Sequence, residues 1–163
     1  MAFTYTPIAT TTLGSAAASY TFSSIPSTYT DLILVVTAGN SAGANYSGTI
    51  QFNGDTGTNY SYTEVYTSGS SALSYRATNS NNIFCIRTNS TLTAAPAIIQ
   101  VQNYSNTTTY KTALARAGTG TSVEMVVGLW RSTSAINSIK VLSEGATNFI
   151  VGSTLTLYGI SAA

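Results

Sequence analysis

Apolar residues recur along this chain either at every second position or in short β-branched runs, and Gly, Asn, Ser and Pro interrupt them at close intervals. A side-chain period of two belongs to the β-strand, and dense turn residues between short strands belong to a sandwich or barrel. The pattern predicts strands over Ser19–Phe22, Asp31–Ala38, Ser47–Phe52, Ser61–Tyr66, Ile83–Thr88, Ala97–Asn103, Thr112–Ala117, Val123–Arg131, Ile136–Leu142 and Thr154–Ile160. No segment carries a convincing helical period. Asn53-Gly54, Asp55-Thr56-Gly57, Ser68-Gly69-Ser70, Gly118-Thr119-Gly120 and Glu144-Gly145 supply the positive-φ positions that tight reversals need. Pro7, Pro26 and Pro96 are expected outside strand interiors, where a missing backbone donor costs least. The expected fold is therefore all-β: a single-domain antiparallel β-sandwich over residues 1–163, with an extended N-terminal segment.

The predicted strands are of two kinds. In Thr154–Ile160, Leu155 and Leu157 point one way while Thr154, Thr156 and Tyr158 point the other, giving one core face and one polar face. By contrast, Asp31-Leu32-Ile33-Leu34-Val35-Val36 and Ala97-Ile98-Ile99-Gln100-Val101 are apolar on both faces. Such strands are covered from both sides or lie in a subunit interface. Residues 1–18 fit neither kind, being Thr-rich at first and then built of small residues; they form either an edge strand or an arm reaching onto a neighbouring molecule.

Composition sharpens the interface reading. Charged residues are 7% of the chain, against about a quarter in an ordinary globular domain, while the apolar fraction is 44%. A net charge of +1 with many β-branched and aromatic residues describes a chain that folds. A surface of hydroxyls and amides in place of Lys and Glu loses the repulsion that keeps monomers apart, which suits a protein that works inside an assembly. Arg76, Arg87, Lys111, Arg116, Arg131 and Lys140 are scattered singly, so no basic face for nucleic acid is expected. Cys85 is alone and sits in the apolar run Ile83-Phe84-Cys85-Ile86, where it reads as a small buried hydrophobe. The longest apolar run, Leu32 to Val36, is far short of a membrane helix, and the N-terminus lacks the basic start of a secretory signal. No membrane association and no signal peptide are expected.

The absence of histidine removes Ser-His-Asp and Cys-His catalysis together, and a single cysteine removes a Cys/His zinc site. What is left is a carboxylate pair of the glycosidase kind, drawn from Asp31, Asp55, Glu64, Glu124 and Glu144. None sits in a recognisable motif, and Glu64 and Glu124 occupy positions that can face solvent. The stretch Asn53–Asn59 spaces oxygen ligands like a calcium loop, but Asp55 is its one carboxylate, so a hairpin loop is the better reading. No catalytic, cofactor-binding or metal-binding residues are predicted. Tyrosine is enriched, at 11 residues against 5 Phe. Tyr60, Tyr62 and Tyr66 have even spacing and share a face on a straight strand, as sheet packing, subunit interface or glycan contacts. Trp130 reads as core.

Several segments carry a resemblance. Thr6–Ser15, Tyr20–Leu32, Phe52–Asp55 to Asn59–Ser61, Asn103–Ser105 to Tyr110–Thr112 and Gly128–Ser132 resemble a family of small β-rich virion structural proteins of tailed phages infecting cyanobacteria and other aquatic bacteria. The resemblance implies a jelly-roll-like sandwich that acts as a capsid decoration or cement protein, bound to the major capsid protein on the outer surface of the virion; the three-fold positions of an icosahedral shell make a homotrimer the expected form. It carries over no functional residues. The alternative within the family is a tail-fibre or receptor-binding tip module that recognises host-surface glycans; a chain of 163 residues, taken as a whole protein, favours decoration.

Overall fold

Strands dominate the computed structural model, which describes residues 5–42, 46–88 and 94–161. They are β1 (Tyr5–Thr12), β2 (Ser19–Phe22), β3 (Asp31–Ala38), β4 (Tyr46–Phe52), β5 (Tyr60–Ser68), β6 (Ser71–Ser80), β7 (Ile83–Thr88), β8 (Ala95–Val101), β9 (Lys111–Gly118), β10 (Val123–Trp130), β11 (Ile139–Ser143) and β12 (Thr154–Ile160). An eight-stranded sheet has the order β1-β12-β3-β8-β9-β10-β5-β6, and a four-stranded sheet the order β2-β11-β4-β7. Every pairing is antiparallel. The chain is all-β, and the two sheets pack face to face as a β-sandwich. It passes from one sheet to the other at every connection except β5–β6, β8–β9 and β9–β10. Two hairpins, β5–β6 and β9–β10, widen the larger sheet on one side.

One core fills the space between the sheets. Leu32, Leu34 and Val36 of β3, Ile99 and Val101 of β8, and Leu155 and Leu157 of β12 face Ile50 and Phe52 of β4, Ile83 and Ile86 of β7, and Ile139 and Val141 of β11. Tyr104, fully buried, donates its hydroxyl to the Pro26 carbonyl and ties the loop after β8 to the loop after β2. Cys85 is also fully buried, and burial pushes its thiol pKa well up, with Glu124 and Glu144 adding to the shift. It packs as a small hydrophobe.

The N-terminal segment takes the edge-strand form. Tyr5–Thr12 pairs with β12 from Tyr5↔Ile160 to Thr12↔Thr154, and Leu13 beyond it is part of the core. Residues 1–4 of that segment lie outside the described residues. Pro7 consequently stands inside a strand, contrary to expectation, and so does Pro96 in β8. Pro7 is tolerated because β1 is an edge and its register shifts between Pro7 and Ala9, which leaves the missing donor unneeded. The predicted strand at Ile136–Leu142 starts later, at Ile139, because Ile136 is held in a loop by its amide donating to the Tyr104 carbonyl at 2.9 Å.

Candidate functional site

Tyr60, Tyr62 and Tyr66 do share one face of β5, and it is the face turned toward the smaller sheet. Tyr60 is fully buried and stacks on Trp130, with ring centroids 6.2 Å apart and planes inclined by 16°. Its hydroxyl accepts from the Phe52 amide at 3.0 Å, and burial raises its pKa to about 12. No part of Tyr60 is open to a glycan. Tyr62 is half-buried, its ring 6.1 Å from Phe84 and 6.2 Å from the exposed Tyr75. Tyr66 lies under the Arg87 guanidinium, 5.6 Å from its ring centroid. The ladder is graded: core at one end, charge at the other.

Asp55 shows why that core end is rigid. Asn53 and Gly54 take φ of 53° and 68°, reversing the chain after β4. Asp55 then accepts from the Trp130 indole at 2.7 Å, the Gly57 amide at 2.8 Å and Asn59 Nδ2 at 2.9 Å. Burial works to raise its pKa, but these donors outweigh it and hold the carboxyl below its ordinary range. The seven-residue stretch read as a hairpin loop is thus a staple on the Trp130 indole.

The charged end departs from the sequence expectation. Glu64 and Glu124 do not face solvent; they are 7% and 6% exposed. Both project between the sheets from neighbouring strands, Glu64 opposite Val126 and Glu124 opposite Tyr66. Arg87 of β7 reaches across to Glu124 with Nε–Oε2 at 2.6 Å, while Glu124 Oε1 is buried without a hydrogen-bond partner. Burial drives both carboxyls above the usual carboxylate range; Glu124 adds to the shift of Glu64, and Arg87 opposes both. Two buried carboxyls around one guanidinium are a frustrated cluster, in which burial favours the protonated carboxyl.

The opposite face of the larger sheet holds the largest departure from an ordinary sandwich. Alternation along β10 turns Glu124, Val126, Gly128 and Trp130 inward and Val123, Met125 and Val127 outward. These three are 62%, 56% and 54% exposed, and Leu114 of β9 and Val65 of β5 stand beside them at 46% and 54%. On the same face Ile33 of β3 is buried at 8% exposure, and the half-buried Val35 of β3, Ile98 of β8 and Tyr158 of β12 continue the stripe to the exposed Tyr5 on β1. A hollow of about 450 Å³ runs along it, with Gln100 and Arg116 in its lining beside the apolar residues. Strands β3 and β8, apolar on both faces in the sequence, are central strands with one face in the core and the other buried at Ile33 and half-buried at Val35 and Ile98. The stripe crosses seven strands, roughly 30 Å at about 4.8 Å each, with Gln100 and Arg116 set into it. The largest contiguous apolar patch on a domain often marks an interaction site.

Comparison with protein-family models and with curated proteins finds no match to this chain.

Proposed function

We propose that the chain is a non-catalytic structural protein of a tailed-phage virion, a decoration or cement protein whose uncovered sheet face is buried in the assembled particle. The observation that carries this reading is the outward stripe Val65, Val127, Met125, Leu114, Ile98 and Val35. A lone soluble chain gains nothing from such a stripe, whereas an assembly removes it from water at about 25 cal/mol for each Å². The low charge content acts in the same direction, and the interleaved passage of the chain between the sheets supports the jelly-roll reading. The phage setting rests on the resemblance of the Tyr20–Leu32 and Gly128–Ser132 segments, and the homotrimer on the three-fold positions that an icosahedral shell offers.

The test mixes the purified protein with particles that lack it. The unaltered chain attaches and raises the temperature at which the shell opens; Met125→Lys combined with Val127→Lys abolishes both while leaving the melting temperature of the free protein unchanged. Attachment that survives both lysines, or a protein located solely at the tail, overturns the reading. The glycan-binding tip is the second reading, favoured by the exposed Tyr75 ring beside Tyr62. Saturable binding of host-surface polysaccharide that disappears in Tyr75→Ala selects it instead.

A further inference from the structure

A sheet edge is a row of unpaired backbone donors and acceptors, and natural sandwiches blunt their edges with short strands, bulges, proline or charge. Among the described residues this sandwich has four sheet edges, and three are blunted. Strand β1 carries Pro7 and a register shift, β2 is 4 residues long, and β7 presents Arg87 beside the shift at Gly48/Thr49. The fourth, β6, is different. It is 10 residues long, and its pairing to β5 runs without interruption from Ser71 to Ala77 before a shift near Asn79. Every residue from Ser71 to Arg76 is exposed, so neither face of this stretch is covered by the smaller sheet. Leu73 and Tyr75 stand on it at 42% and 52% exposure.

We infer that β6 pairs with β6 of a second copy, antiparallel across a two-fold axis at Ser74. Unsatisfied backbone groups along a straight strand call for another strand, and the sequence of this one is self-complementary about its middle. The regular stretch Ser71–Ala77 centres on Ser74. An axis there sets Leu73 of each copy against Tyr75 of the other on one face, an apolar–aromatic cross-strand pair made twice. On the other face Ser74 meets Ser74 and each Arg76 meets Ala72, so the single charge of the strand never faces its like. The two larger sheets join into one of sixteen strands, and the contact is closed and isologous. The pairing stands whether or not the outer face meets a capsid, because it uses the edge and not the face. On a shell it links copies across two-fold positions.

Ser74→Cys tests it directly, because the one native thiol, Cys85, is fully buried. Directly opposed residues in an antiparallel pair have Cα atoms about 4.5–5.5 Å apart, within disulfide reach. Mild oxidation is expected to convert most of the Ser74→Cys chain to a covalent dimer. Ser71→Cys is the control: its two copies lie about 20 Å apart across the axis and are expected to cross-link at least tenfold less. Adding Leu73→Lys to Ser74→Cys removes the apolar pair and is expected to lower the dimer yield several-fold. Equal cross-linking of the two cysteine variants, or a yield indifferent to Leu73→Lys, overturns the proposal. In the unaltered chain, the amides of Ser71–Ala77 are expected to exchange more slowly as concentration rises, and exchange independent of concentration overturns it equally.

Discussion

Strands β12 and β10 belong to the same sheet and obey opposite rules. In β12 Leu155 and Leu157 are fully buried, and Thr154, Thr156, Tyr158 and Ile160 face outward. In β10 three large apolar residues, Val123, Met125 and Val127, face outward, while a glutamate and a glycine face the core. Hydrophobicity alone would turn β10 over. Its orientation is fixed by two inward positions. Trp130, 2% exposed, fills the space between Tyr60 and Phe52, and a Cβ at Gly128 would lie 2.5 Å from Ile83 Cγ2. A strand slipped by one residue would put Leu129 where the indole belongs and a valine under Ile83. Shape at two sites overrules apolar content at three, and the surplus apolar residues are left for something outside the chain.

If shape at Trp130 decides the orientation of β10, its loss is the largest effect in the molecule. Trp130→Ala should cost about 3–5 kcal/mol, read as a shift in the urea midpoint, because it empties the core and leaves Asp55 without its indole donor. Gly128→Ala comes next. Overpacking against Ile83 should cost about 1–3 kcal/mol, and a cost near zero would mean that Ile83 is free to move aside.

The buried carboxyls give a smaller effect with a definite sign. Glu64 and Glu124 have folded-state pKa values above the ordinary value of 4.5, so the folded chain holds protons more tightly than the unfolded one. Their contribution to stability is complete below the unfolded pKa and is lost as pH rises through the folded value. Asp55, with its pKa lowered, contributes in the opposite sense, losing its stabilisation as pH falls below its ordinary 3.8. Thermal unfolding between pH 4.5 and neutral should therefore show stability falling as pH rises. Glu64→Gln should flatten that slope and stabilise the protein at neutral pH by on the order of 1 kcal/mol, since it removes a buried charge beside an Arg87 already paired with Glu124. A destabilised variant would show that Glu64 is held ionised by Arg87. Smallest of all, Met125→Ser and Val127→Thr should each change the stability of the free protein by less than about 0.5 kcal/mol, as expected for exposed positions.

Much of this fold is written in local pattern. The alternation of Thr154–Ile160, the double-sided apolar runs of β3 and β8, and the Asn53-Gly54 reversal are each readable because one strand or turn carries its own signal. Strand β6 is not readable: Leu73 and Tyr75 are its large apolar residues, and it is held by the backbone ladder to β5 and not by burial. For β1 the signal is weak for the same reason, with Ile8 packed against the core beside a run of threonines. The even spacing of Tyr60, Tyr62 and Tyr66 identifies a shared face but not which way it looks. The same ambiguity hid the burial of Glu64 and Glu124, because β5 and β10 carry plausible core residues on both faces. A pairing of Gly128 with Ile83 across the two sheets, which decides the matter, joins residues 45 positions apart and leaves no mark in either segment.

The account turns on whether the outward stripe of β10 is covered when the protein is at work. A cysteine placed there by Val127→Cys reports it, since Cys85 is fully buried and will not compete for a thiol reagent. The measurement is the labelling rate of that thiol in the free protein and in assembled particles. Free protein should label quickly, and particle-bound protein at least tenfold more slowly, while a thiol introduced by Val151→Cys, at a position 60% exposed and away from the stripe, should label at the same rate in both. Equal rates for Val127→Cys in the two states would contradict the central claim.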